Sequence, residues 1–98
     1  MGNSIIVKDM EYCYVCGKAG PEWHHVVFGP NRELSDYYGL IIPLCYKHHR
    51  ANKTGVHGGN KALDDNLKRM AQEAFERTYP ELNFREIFGT NYKEEANE

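Results

Sequence analysis

The chain is predicted to be a small α+β domain, and three observations carry that prediction. Trp23 to Phe28 and Leu40 to Leu44 are short runs of apolar, aromatic and β-branched residues, each entered from a glycine turn. From Leu63 the residues Leu67, Met70, Ala71, Ala74 and Phe75 recur at spacings of three and four, the period of an amphipathic helix. The 98 residues, 41% of them apolar, suffice for one modest core and leave no room for a second domain.

Taken in order, Ile5 to Val7 is an apolar run that forms a strand or a tail packed on the body. A Cys13 to Cys16 turn follows, with Gly17 and Gly20-Pro21 as punctuation before the first strand. Gly29-Pro30-Asn31 marks a turn, and Arg32 to Gly39 reads as irregular chain or a short helical loop ahead of the second strand. Tyr46 to Lys53 contains neither Pro nor Gly and suits a short helix stopped by Gly55. The amphipathic helix ends at Pro80. Asn83 followed by Glu86 forms a capping box for a last helix through Phe88. Phe75, Tyr79, Phe84 and Phe88 are expected to pack these C-terminal helices over the rest, and Trp23, Phe28, Tyr37 and Tyr38 are read as packing residues rather than base-stacking platforms. The polar tail, residues 90–98, is expected to fray.

The net charge is −2, against the basic character usual for nucleic-acid-binding domains. Its distribution is uneven. Residues 45–69 carry six Lys and Arg against Asp64 and Asp65, a net +4, whereas residues 81–98 carry five Glu against Arg85 and Lys93, a net −3. A basic stretch of this kind is either a phosphate-facing surface or a solvated helix face. No stretch approaches the roughly 20 apolar residues of a membrane span, and the N-terminus lacks a signal-peptide pattern. A cytoplasmic protein with no membrane partner is expected.

Three cysteines leave an odd thiol in any disulfide scheme, and C-x-x-C is a spacing that metals use. Cys13 and Cys16 supply half of a tetrahedral zinc site, and Cys45-Tyr46-Lys47-His48 supplies the other half as C-x-x-H. Such a structural zinc ion would staple a domain of this size. His49 lies about 100° round a helix from His48, so the two should serve different sites. His24, His25, His49 and His57 remain, which invites a second metal. On a strand, adjacent side chains point to opposite faces, so one of His24 and His25 can ligate while the other acts as a base. Phosphodiester cleavage needs both functions, a cation and a group that deprotonates water.

The segments Cys13-Tyr14-Val15-Cys16, Trp23-His24-His25-Val26 and Pro43-Leu44-Cys45-Tyr46-Lys47-His48-His49-Arg50 together resemble the HNH, or ββα-metal (His-Me finger), endonucleases. The resemblance covers a core motif at residues 10–58, with residues 60–89 as a helical extension within a single domain 1–98. It implies that His24 and His49 hold the catalytic metal and that His25 is the general base. The Ref-like group of phage recombination nucleases is similar through Pro43 to Arg50 and Gly55-Val56-His57-Gly58, which makes His57 a third ligand or a phosphate contact. The chain departs from the family at its middle Asn: Tyr38-Gly39-Leu40-Ile41-Ile42 contains none. A backbone carbonyl, Asp36, Tyr37 or Asn31 is left to orient His25.

The expected function is therefore metal-dependent hydrolysis of DNA, with Arg50 and Lys53 on flanking phosphates. An all-histidine shell favours Zn2+ or Ni2+, with Mn2+ or Mg2+ admissible if one histidine contacts phosphate instead. So small a module is expected to cut with low specificity or with a recombination or packaging helper protein. Two alternatives keep the zinc staple: a nucleic-acid-binding module without catalysis, and a protein-interaction domain.

Overall fold

A computed structural model describes residues 4–93. Its centre is a two-stranded antiparallel sheet of β1 (Glu22–His25) and β2 (Ile41–Leu44), paired so that Glu22 faces Leu44 and His25 faces Ile41. The connection carries a short 3-10 turn at Gly29–Asn31 and helix α1 (Arg32–Tyr38), where the sequence suggests irregular chain or a short helical loop. Gly39 closes α1 in the left-handed conformation, at φ 79°, which a side chain would oppose.

The first strand is shorter than its apolar run. Val26 still donates to the Leu40 carbonyl, but Val27 turns to the buried Ser35, whose hydroxyl accepts from its N–H and donates to its C=O. One side chain thus satisfies both backbone groups that a longer strand would have paired. Helix α2 is also shorter than expected, Tyr46–His49 rather than a run to Lys53. Gly55 and Gly58 explain the stop. A Cβ on either would collide with the backbone of Arg50 and Ala51, so the Gly55 to Gly58 turn lies directly against the end of α2. Lys53 completes that turn with φ 71°, its N–H donating to the Gly58 carbonyl.

Helix α3 (Lys61–Thr78) is the long amphipathic element, opened by the Asn60 side chain accepting from the Leu63 N–H. Helix α4 (Phe84–Phe88) opens in the same way, with Asn83 accepting from the Glu86 N–H. Leu67, Ala71 and Phe75 of α3 join Val26, Leu40, Ile42, Leu44, Phe84 and Phe88 in one core. Tyr38 packs on Phe75, Tyr79 and Phe88, as a packing residue should. Ile5 to Val7 form no strand. They lie on the core as a tail, tied by the Ile5 N–H to the Gly39 carbonyl and by the Ser4 hydroxyl to the Ile41 carbonyl.

The start of the polar tail is not frayed. Tyr92 contacts Phe84, its N–H donates to Gln72, and Lys93 pairs with Glu76 at 2.7 Å, so residues 91–93 dock along α3. The rest of the tail, residues 94–98, lies outside the described residues. Among the described residues no helix is long and apolar enough to cross a membrane.

Candidate functional site

The knuckle is a tight loop between Tyr12 and Ala19, which form an isolated antiparallel bridge. The Cys13 N–H donates to Lys18, the Gly17 N–H to Cys13, and the Tyr14 N–H to Pro43 of β2. That last bond pins the loop beside the end of β2, where Cys45 begins α2. The Cys16 and Cys45 sulfurs are 3.7 Å apart, and His48 Nδ1 is 3.4 Å from Cys45 Sγ and 3.8 Å from Cys13 Sγ. Zinc with sulfur at about 2.3 Å and nitrogen at about 2.05 Å has tetrahedral edges of about 3.8 Å for S···S and about 3.6 Å for S···N. These three distances are near those edges, and all four ligand atoms lie within 4.8 Å of one another. They can hold a structural metal such as zinc.

The surroundings of the knuckle act on Cys13 and Cys16 in opposite directions. Burial raises the Cys13 pKa, but the backbone N–H groups of Cys45, Cys16 and Val15 and the His48 ring outweigh it and bring the group down to about 6. For Cys16 the Lys18 backbone N–H favours the thiolate, yet burial and the neighbouring Cys45 and Cys13 sulfurs push the group up. A bound cation would favour the thiolate form of the sulfurs that ligate it.

One residue along from His48, His49 turns the other way. It joins His24 of β1 and His57 of the glycine turn, and the three ring centres stand 5.1, 5.2 and 4.9 Å apart, a nearly equilateral triangle. Their nitrogens all lie within 4.8 Å of one another, and the group can hold a metal ion. Each ring reaches this point for a local reason. His24 is the inward residue of β1, His49 faces inward from the last turn of α2, and His57 is presented by the Gly55 to Gly58 turn folded against that helix.

His24 is 1% exposed and neither of its ring nitrogens has a hydrogen-bond partner. An unpaired buried polar group costs about 1–3 kcal/mol, so such an orphan calls for an occupant. A cation is one that fits. Burial, reinforced by His49 and His57, lowers the His24 pKa to about 3, and burial with His49 also lowers that of His57. Neutral imidazole is the ligating form. Phe28 closes one side, its ring against His24 and His57 and under the Lys68 ammonium at 4.4 Å.

The sequence reading missed Glu22. Its carboxylate oxygen lies 2.6 Å from His49 Nδ1 and accepts from Arg50 Nε at 2.8 Å, and these two hydrogen bonds hold its pKa below the usual carboxylate value. With Nδ1 engaged, His49 offers Nε2 to the triad, the arrangement in which a carboxylate orients a metal-binding histidine. Strand alternation was the available signal. Glu22 and His24 are two residues apart and share a face, so both meet His49.

His25 faces away from His24, half-buried, with its Nε2 3.5 Å from an Asp36 carboxylate oxygen on α1. Of the groups available to orient it, Asp36 is the one in place. The Asn31 amide instead donates to the Phe88 carbonyl, and Tyr37 is 78% exposed and packs on Tyr38. A cleft of about 240 Å³ brings His25, His49 and His57 together with Arg32 and Arg50. Lys53 is not among the residues lining it, and its backbone serves the turn. Arg32 joins the site without having been anticipated, because only the α1 helix places it there. Trp23 also lines this cleft and is 50% exposed, which corrects its reading as a packing residue. No family model, curated protein or solved structure matches the chain.

Proposed function

We propose that the protein is a metal-dependent DNA endonuclease of the HNH kind, hydrolysing phosphodiester bonds. One observation carries the reading: His49 and His57 of the three-histidine cluster line the same arginine-bearing cleft as a separately oriented histidine, His25, while His24 completes the cluster from its buried position. A divalent cation held by His24, His49 and His57 would supply positive charge for the scissile phosphate and the departing oxygen. The nitrogen donors favour a transition metal such as zinc or nickel over magnesium.

His25 accepts a proton from the attacking water. Asp36, beside Nε2, favours the tautomer that carries its proton there and leaves Nδ1 as the acceptor, and it then offsets the charge of the imidazolium. Asp36 thus takes the orienting part that the family's missing Asn would play. Arg50, held by Glu22, and Arg32 present guanidinium groups to phosphate oxygens. Glu22 orients both His49 and Arg50, so one carboxylate aligns the cation site with the phosphate site.

A plasmid-nicking assay with added Zn2+, Ni2+, Mn2+ or Mg2+ tests this. Nicking is expected with at least one metal, and His25→Ala should lower the rate on the order of 10² to 10⁴-fold, the usual share of a general base. Cleavage that does not exceed the His25→Ala level with any of the four ions would sink the reading. The net charge of −2 and the missing Asn favour a second one, a nucleic-acid-binding module without catalysis. It predicts DNA retention on a gel with no nicking under every metal.

A further inference from the structure

Trp23 stands on the same face of β1 as His25, two residues away, or about 6.6 Å at strand rise. It is 50% exposed although it lies in the middle of a sheet pairing, opposite Pro43. It is also the only tryptophan in the chain. Half of its surface is left to solvent, while Pro43 and Ile41, opposite Trp23 and His25 on the partner strand, are buried. Trp23 lines two hollows, the cleft with His25, Arg32 and Arg50 and a larger pocket of about 630 Å³.

The two hollows differ in chemistry. The cleft presents guanidinium groups and imidazoles, suited to phosphate. The larger pocket has Val7 and Met10 as apolar surface and Lys8, Asp9 and Glu11 as polar groups. Two carboxylates there disfavour a phosphate backbone, whereas a mixture of donors and acceptors above apolar surface suits the edge and face of a nucleobase. Its size lies within the range of small-ligand sites.

We propose that Trp23 is a stacking platform for one unpaired base of single-stranded DNA, with the base in the pocket beside Val7 and Met10 and its phosphate on the side of Arg50 and His25. This rests on the nuclease reading for the position of the phosphate. A base can lie flat on an indole only when it has left its own stack, so duplex DNA is excluded from this contact unless a nucleotide is extruded. The cleft then selects single-stranded or frayed DNA.

The lone tryptophan reports directly. In a His25→Ala background, which keeps the strand intact, a single-stranded oligodeoxynucleotide should quench Trp23 emission, and the matching duplex should do so at least tenfold more weakly in concentration. By anisotropy of a labelled strand, Trp23→Ala should weaken binding about 5- to 150-fold, the range for loss of one base–aromatic stack, while Trp23→Phe recovers most of it. Unchanged melting of both variants by circular dichroism establishes that the fold is kept. Strand binding without quenching, equal affinity for strand and duplex, or Trp23→Ala binding as tightly as the parent would each overturn the platform. Quenching without cleavage by the unmodified protein removes the nuclease reading and leaves the platform standing. Cleavage of duplex with no quenching does the reverse.

Discussion

The knuckle and the histidine triad are neighbours that draw on adjacent residues of one short helix, yet they present opposite kinds of donor set. Cys13, Cys16, Cys45 and His48 form a four-donor set in which the Cys16–Cys45, Cys45–His48 and Cys13–His48 distances are near tetrahedral edges. His24, His49 and His57 provide three donors, two buried and one exposed, so the set is open toward solvent through His57. Full coordination serves stability, and an open position serves chemistry. Helix α2 makes the division possible: Cys45 and His48 look toward the knuckle loop, whereas His49, a step further round, looks toward β1.

The largest expected effect separates the two sites by stability. Cys45→Ala should leave the chain unfolded by circular dichroism at 25 °C, because a structural zinc site contributes on the order of 10 kcal/mol, comparable to the whole stability of a small domain. His57→Ala should still fold and retain one zinc ion by native mass spectrometry, since His57 is an exposed turn residue whose ring contacts are with Phe28 and its triad partners His24 and His49 and not with the knuckle. Equal melting of the two variants would break the comparison. So would freshly purified protein that carries no zinc.

A middle-sized effect concerns Glu22. Glu22→Gln keeps a hydrogen-bonding side chain but removes the charge that orients His49 and Arg50, and it should weaken metal binding at the triad by roughly 10- to 100-fold. Zinc in the knuckle should be untouched. Isothermal titration of the second ion reads this, and unaltered affinity would reduce Glu22 to a surface ion pair. The smallest effect distinguishes two cations. Arg50→Ala should lower the salt dependence of DNA binding by about one phosphate contact, whereas Lys53→Ala, outside the cleft, should leave the slope unchanged. Equal slopes for both variants would remove Arg50 from the phosphate surface.

The sequence by itself determined what depends on local spacing. The C-x-x-C and C-x-x-H pairs, the alternation that sends His24 and His25 apart, the three-and-four period of α3 and the Asn83 cap of α4 are short-range facts, fixed by bond geometry within a turn or a strand. Tertiary structure alone decided which distant groups meet. Asp36 reaches His25 because Arg32 to Tyr38 takes the helical of the two forms its sequence allows, Ser35 ends the first strand by taking over the Val27 backbone, and the close approach of Gly55 and Gly58 cuts α2 short and delivers His57. Tyr92 and Lys93 looked like tail by composition, but α3 offers them Gln72 and Glu76, and α4 offers Phe84. Trp23 shows the same limit from the other side: its type suggests burial, and only the packing of its neighbours leaves it half exposed beside the cleft. Burial and long-range pairing depend on where the rest of the chain lies, and residue type alone does not carry that information.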